Sequence, residues 1–329
     1  MKRHLIPALI VVFVALSTFP SNNPGAQAAD FPVKGRPITV IVPYPAGGAT
    51  DIATRMVADV MKNELGTSIQ VVNKPGATSQ VGMTELVRSK PDGYTIAASP
   101  LPAVILTYLD PERKAIYTNK SFQPLANVIF PPLVLSVKAD STYKTLQDLV
   151  AAAKAKPETQ KIASAGVLSN NHLAILQFEK ATNTRLAIVH FDGGAAGMNA
   201  LLGGHVEATV GVLPEVLSHF KNGAIRPLGV MDARENKFLP GVQTMEAQGF
   251  KLYVYGATGL AAPAGTPRQV VDILTKAIRT ACENETFLKK MDDMGFPIQY
   301  MDPEGYAKFW SEVETGVAPL MKEAKAGGK

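Results

Sequence analysis

The sequence predicts an α/β protein of two domains with a ligand cleft between them, and three observations carry that prediction. Strand-like and helix-like segments alternate in β-α-β-α-β order in two separate stretches of the chain, the pattern of parallel sheets with helices on both faces. Two extended apolar runs, over 122–137 and 253–261, read as crossings between those stretches. Polar, glycine-rich loops recur where strands hand over to helices, at the carboxyl ends of the strands where such sheets bind ligands.

The chain opens with Lys2, Arg3 and His4, an apolar run over 5–16 and the A-x-A pattern Ala26-Gln27-Ala28, which predicts a secretory signal peptide over 1–28, cut after Ala28. Pro7, Ser17 and Thr18 interrupt the run, which falls short of a membrane span. Residues 1–28 hold Lys2 and Arg3 and no acid, so their removal takes the formal charge from +5 to +3. The basic residues are scattered without interleaved aromatics, which argues against nucleic acid and for capture of small anions. Cys282, the single cysteine, rules out an intrachain disulfide and a lipoprotein anchor at the cleavage site.

Ile38, Val40, Ile41 and Val42 are β-branched and stop at Pro43, as in a buried strand. Pro45 and Gly47-Gly48 then form a loop of little bulk, Thr50 reads as a helix N-cap and Asp51 as a first-turn acid. Apolar residues at four-residue spacing continue the helix to Leu65, and Gly66 ends it. Such a helix start presents unpaired N–H groups and partial positive charge, which suits a carboxylate or phosphate oxygen. A tight connection without ligand explains the same residues. The stretch contains no G-x-x-x-x-G-K-[ST] and lacks the third glycine of a dinucleotide fingerprint, which argues against a nucleotide.

A strand over 69–72, a helix over 78–89 and a strand over 94–98 follow, placing Ser99 at the same crevice as Tyr44 and Gly47-Gly48. The second set has helices over 145–154, 170–181, 195–202 and 214–220 among strands over 161–164, 186–191, 206–211 and 225–230. Its loops over 164–172 and 191–194 repeat the strand-loop-helix logic, although polar helix capping explains each alone. Helices over 268–282 and 303–322 close the chain, the last with Tyr306, Phe309, Trp310 and Val313 on one face.

Catalytic signatures are missing: there is no G-x-S-x-G, H-E-x-x-H or C-x-x-C. His172, His190, His205 and His219 do not repeat at ligand spacing, so neither a metal nor a cofactor is expected. His172 beside Ser164 or Ser169 has no neighbouring carboxylate to orient it, and Asp51 and Asp192 both sit at helix starts. A non-enzymatic role is therefore expected.

The stretches ITVIVPYPAGGATDIATRM, VVNKPGATSQVGMTELVRSKPDGYTI, SAGVLSNNHLA, HFDGGAAGMNALLGGHVEATVG and GLAAPAGTP resemble the Bug-type extracytoplasmic solute receptors of tripartite tricarboxylate transporters, over about 36–321. The resemblance implies a type II periplasmic-binding-protein fold: a signal peptide over 1–28, one discontinuous domain of 29–132 and 256–329, and a second of 133–255. It implies a monomer in the periplasm that closes on a small carboxylate and delivers it to a permease of large and small membrane subunits. Carried over by position, the first-loop contacts are Tyr44, as a stacking wall, with Ala46, Gly47, Gly48, Thr50 and Asp51. The second-lobe contacts are Ser164, Gly166, Ser169, Asn170 and His172, with Asp192 and Gly193 close by. The chain departs from many relatives at Ser99-Pro100, where a Gly-Thr pair is common, and at Asp192, where a basic residue is common. An acid there repels a second ligand carboxylate or welcomes an amine. Asp51, ionised at the helix start, competes with a ligand for the same partial charge, and is therefore expected to organise the loop amides rather than touch the ligand. Two rival readings are a sensor subunit that docks a histidine kinase, and a hydrolase or lyase using His172 with Ser164 or Asp51.

Overall fold

The computed structural model describes residues 31–326; the expected signal peptide lies outside the described residues. The first lobe opens with β1 (Ile38–Val42), α1 (Ala49–Leu65), β2 (Ile69–Asn73), α2 (Gln80–Arg88), β3 (Thr95–Leu101) and α3 (Ala103–Leu109), and β4 (Phe122–Ile129) carries the chain to the crossing. The second lobe contains β5 (Leu133–Lys138), α4 (Leu146–Ala155), β6 (Lys161–Ser164), α5 (Asn170–Thr182), β7 (Ala187–His190), α6 (Gly194–Leu202), β8 (Ala208–Val212), α7 (Leu213–Lys221) and β9 (Ile225–Val230). β10 (Ala257–Pro263) returns to the first lobe, completed by α8 (Arg268–Glu283), α9 (Glu285–Asp293), β11 (Ile298–Met301) and α10 (Pro303–Ala326).

Each lobe is built on one sheet, of order β11-β4-β10-β3-β1-β2 in the first and β7-β6-β8-β5-β9 in the second. Both are mixed rather than parallel. β10 runs antiparallel to β3 and β4, and β5 antiparallel to β8 and β9. The cause is the double crossing: a strand that enters a sheet from the other lobe starts at the cleft edge, whereas the strands of the α/β units end there.

Helices cover both faces of each sheet. In the first, β1 and α1 pack with α8 around Ile38, Val57, Met61, Leu274 and Ile278, while the other face closes on Met83, Leu101, Ile105, Tyr306 and Trp310. In the second, Leu149, Ile175 and Phe178 lie on one face, Met198, Leu201 and Val216 on the other. The apolar period of α1 buries Ala53, Val57 and Met61, and Gly66, at φ 60°, stops the helix in a left-handed turn that costs glycine little.

Three local readings change. Thr50 is the second helical residue, not the N-cap; Gly48 caps α1 in extended backbone and has no side-chain cap. α2 starts at Gln80 because Ala77, Thr78 and Ser79 all hold positive φ, +47°, +50° and +79°. β3 runs to Leu101, past the expected end at residue 98. The short helices α3 and α9 and the edge strand β11 were not expected from the sequence pattern.

Candidate functional site

A cavity of about 70 Å³ lies between the lobes. Its first-lobe wall includes Tyr44, Ala46, Gly48 and Thr50, from the β1–α1 loop and the start of α1. Its second-lobe wall includes Asn170, Asp192 and Gly193, from the starts of α5 and α6. Pro100, at the end of β3, and Pro131, on the first crossing, also line it. The fold thus turns three helix N-termini, those of α1, α5 and α6, toward one space, and each carries partial positive charge.

Of the remaining residues carried over by resemblance, Asp51, Ser164, Ser169 and His172 are buried behind this surface, while Gly47 is exposed and Gly166 half-buried. Asp51 is 3% exposed and lies beneath the loop. Its Oδ2 accepts the N–H of Gly47 at 3.0 Å, and its Oδ1 accepts from Arg55 Nε at 2.9 Å and Asn73 Nδ2 at 2.8 Å. Asn73 Nδ2 also donates to the Tyr44 carbonyl at 3.0 Å. Burial works to raise the Asp51 pKa, but these donors outweigh it and the pKa falls below the usual aspartate value. Gly47 supports the turn at φ +86°, its N–H committed to Asp51.

In the second lobe, Ser164 donates its hydroxyl to the Gly166 carbonyl at 3.1 Å and lies 3.4 Å from Ser169 Oγ. Ser169 caps α5 by accepting the His172 N–H at 3.1 Å. His172 is buried; its Nδ1 accepts the Leu168 N–H at 3.1 Å, which leaves Nε2 to carry the proton of a neutral ring. Its ring meets His190 edge-on at 4.8 Å. Gly166 faces the first lobe, where an added Cβ would stand 3.0 Å from Thr78 Oγ1.

Ser99 is a correction. It is fully buried, its hydroxyl 3.0 Å from Tyr306 Oη, and the Tyr306 hydroxyl donates to its carbonyl at 3.0 Å. Because β3 continues, side-chain alternation sends Ser99 into the core and leaves its neighbour Pro100 on the cleft.

The sequence reading missed Glu215, on the first turn of α7. It lines the cleft, and its Oε1 accepts the Ala49 N–H, the first of α1, at 3.3 Å across the lobes. It also accepts the Val212 N–H at the start of its own helix. Burial raises its pKa, and the two backbone donors oppose that rise. Tyr44 is likewise pushed up, by burial and then by the Glu215 charge. The visible signal was Leu213-Pro214-Glu215, which reads as an ordinary acid in a first helical turn.

Two α/β lobes joined by two crossings, with helix N-termini facing a cleft, define a type II periplasmic-binding-protein fold. Residues 53–325 match the pattern of the "Tripartite tricarboxylate transporter family receptor" proteins, and the chain belongs to that family. It is 30% identical over 320 residues to the "UPF0065 protein in gbd 5'region" of Cupriavidus necator, covering 94% of each chain. The structure of the periplasmic binding protein BugD is similar at 27% identity and a TM-score of 0.82, covering 89% of this chain and 99% of that one. MatC from Rhodopseudomonas palustris, solved with bound malate, shares the fold at 24% identity and a TM-score of 0.81, over 88% of this chain and all 100% of that one. The family is one of transporter receptors, and BugD is a periplasmic binding protein. Among the described residues no helix is long and apolar enough to cross a membrane.

Proposed function

We propose that the protein is a periplasmic receptor that captures a small carboxylate in the interlobe cleft and delivers it to a tripartite tricarboxylate-type permease of large and small subunits. The observation that carries this reading is the convergence of the α1, α5 and α6 N-termini on one cavity, because backbone N–H groups at helix starts hold carboxylate oxygens. Tyr44, Ala46, Gly48, Thr50, Asn170, Asp192 and Gly193 form the contact surface in this reading. Gly47, Asp51, Ser164, Gly166, Ser169 and His172 hold the loops in shape.

The reading includes export by a signal peptide over 1–28, with 29–132 and 256–329 as one domain and 133–255 as the other. It assigns no catalysis. The Ser164 hydroxyl is turned to the Gly166 carbonyl and His172 Nδ1 to the Leu168 N–H, an arrangement that favours loop support over nucleophile activation. The test is a thermal-shift screen of the purified protein with mono-, di- and tricarboxylates, aromatic acids, amino acids and neutral sugars. A bound acid at one hundred times its Kd adds about 2.7 kcal/mol of stability. A melting shift with sugars and with no acid overturns the reading. Loss of uptake of the bound acid on deleting the gene tests delivery to a permease.

A further inference from the structure

Resting on the carboxylate-receptor reading, we propose that Glu215 sets the ligand class: the cleft is built for a carboxylate that also carries a protonated amine, the amine lying against the Glu215 carboxylate.

The first ground is charge. Asp192 and Glu215 both line the cavity, and among the described residues no Lys, Arg or His does. A second ligand carboxylate in this cavity would sit beside two acids with no cation in its lining; His219 and Lys221 line the second cavity that Glu215 also borders. An ammonium group reverses the sign of that interaction and leaves the ligand's own carboxylate to the helix starts.

The second ground is how firmly the Glu215 carboxylate is seated. Ala49 and Val212 donate backbone N–H groups to it. A Cβ on Gly194 would stand 2.2 Å from Oε2, so only glycine leaves room for the carboxylate at the start of α6. The group lies between the N-termini of α1 and α6. Burial disfavours the charged form of that carboxylate, and a cationic donor on the ligand is the group that complements and ionises it.

The third ground is independent of either acid. Asn170 lines the same cleft and donates Nδ2 to the Leu101 carbonyl at 3.0 Å, while its buried Oδ1 has no donor among the described residues. A buried acceptor without a donor calls for an N–H, which an ammonium supplies and a plain carboxylate does not.

Matched pairs of probes test this: glutamate against glutarate, aspartate against succinate, leucine against 4-methylpentanoate and 4-aminobutyrate against butyrate. Each is titrated calorimetrically and by thermal shift into wild-type protein and the Glu215→Gln and Glu215→Asp variants. The expected result is at least tenfold tighter binding of the amine-bearing member of the best pair. Glu215→Gln removes most of that preference and Glu215→Asp retains part of it, while circular dichroism shows each variant folded. Equal or tighter binding of the deaminated member overturns the inference and leaves the carboxylate receptor standing, as does a preference that Glu215→Gln leaves unchanged. Binding of the deaminated member by Glu215→Gln more tightly than wild type binds the amine-bearing one also overturns the inference, marking Glu215 as an internal competitor for the anion seat. No shift with any acid overturns the receptor reading and the inference together.

Discussion

Asp51 shows how a residue without a ligand-facing surface shapes a binding loop. Three donors converge on it from Gly47, Arg55 and Asn73, and an asparagine there would turn an N–H toward one of them. Asp51→Asn is expected to cost about 2 kcal/mol at neutral pH, the range for hydrogen bonds to a buried charge, measurable by urea unfolding. The depressed pKa fixes the pH dependence: the stabilisation is complete above the unfolded value of about 3.9 and is lost as pH falls through the lower folded one. The gap between wild type and variant therefore closes in acid, and a gap constant with pH would contradict the assignment. Glu215 carries the opposite sign, since burial raises its pKa. The folded state there favours the proton, so stability present below the unfolded value of about 4.3 is lost as pH rises through the folded one. Without ligand, Glu215→Gln should melt a few degrees above wild type at pH 8 and level with it near pH 4. A lower melting temperature at pH 8 would show that the backbone donors outweigh desolvation.

At the scale of elements, what the sequence disclosed depended on whether a segment's pattern was local. α4, expected over 145–154, has a local start: the side chains of Thr145 and Asp148 cap each other's backbone, Asp148 N–H to Thr145 Oγ1 at 3.1 Å and Thr145 N–H to Asp148 Oδ2 at 2.8 Å. Thr145→Ala should cost about 1 kcal/mol by chemical denaturation and leave ligand affinity unchanged, because α4 does not line the cleft. α3, by contrast, is the uniform apolar stretch AVILTYL, which has no period to separate helix from strand. The start of α1 was misread because it depends on a distant residue: Gly48 has no side chain to cap it, and Glu215, 166 residues away, accepts the Ala49 N–H. The same limit governs the site. The β1–α1 loop and the start of α5 were visible as glycine and polar clusters, whereas Ser99 was misplaced by a strand that outran its apolar core. Glu215 was hidden because its partners are distant in sequence.

For the whole molecule, the question is what holds the lobes together. The cavity at the three helix starts holds about 70 Å³, well under the roughly 300–1,000 Å³ of ligand pockets, so a ligand bound there as proposed calls for the lobes to part; a second cavity of about 420 Å³ shares Ala49, Ala195 and Glu215 with it. On one rim the contact is concentrated at Val167, whose carbonyl accepts from Thr78 Oγ1 at 2.7 Å and from Arg113 Nη2 at 3.1 Å. Arg113 Nη1 also donates to the Ala77 carbonyl at 3.2 Å, so one guanidinium joins the left-handed loop ahead of α2 to the loop ahead of α5. On the other rim, Lys237 and Asp292 pair at 2.6 Å with side chains 68% and 54% exposed, a setting in which ion pairs contribute little. The first rim is therefore the one that biases closure. Arg113→Ala removes its charged donor without touching a cleft-lining residue. If closure is what the ligand stabilises, apparent affinity falls with the closed fraction. A loss of about 1.4 kcal/mol corresponds to tenfold, within reach of a single hydrogen bond to a charged group. Calorimetry with the acid found by the thermal-shift screen should show that weakening, and small-angle scattering of the ligand-free variant should show a larger radius of gyration. Lys237→Ala should change neither. Equal affinities for wild type and Arg113→Ala, with unchanged scattering, would mean that the cleft residues alone set the balance between open and closed lobes.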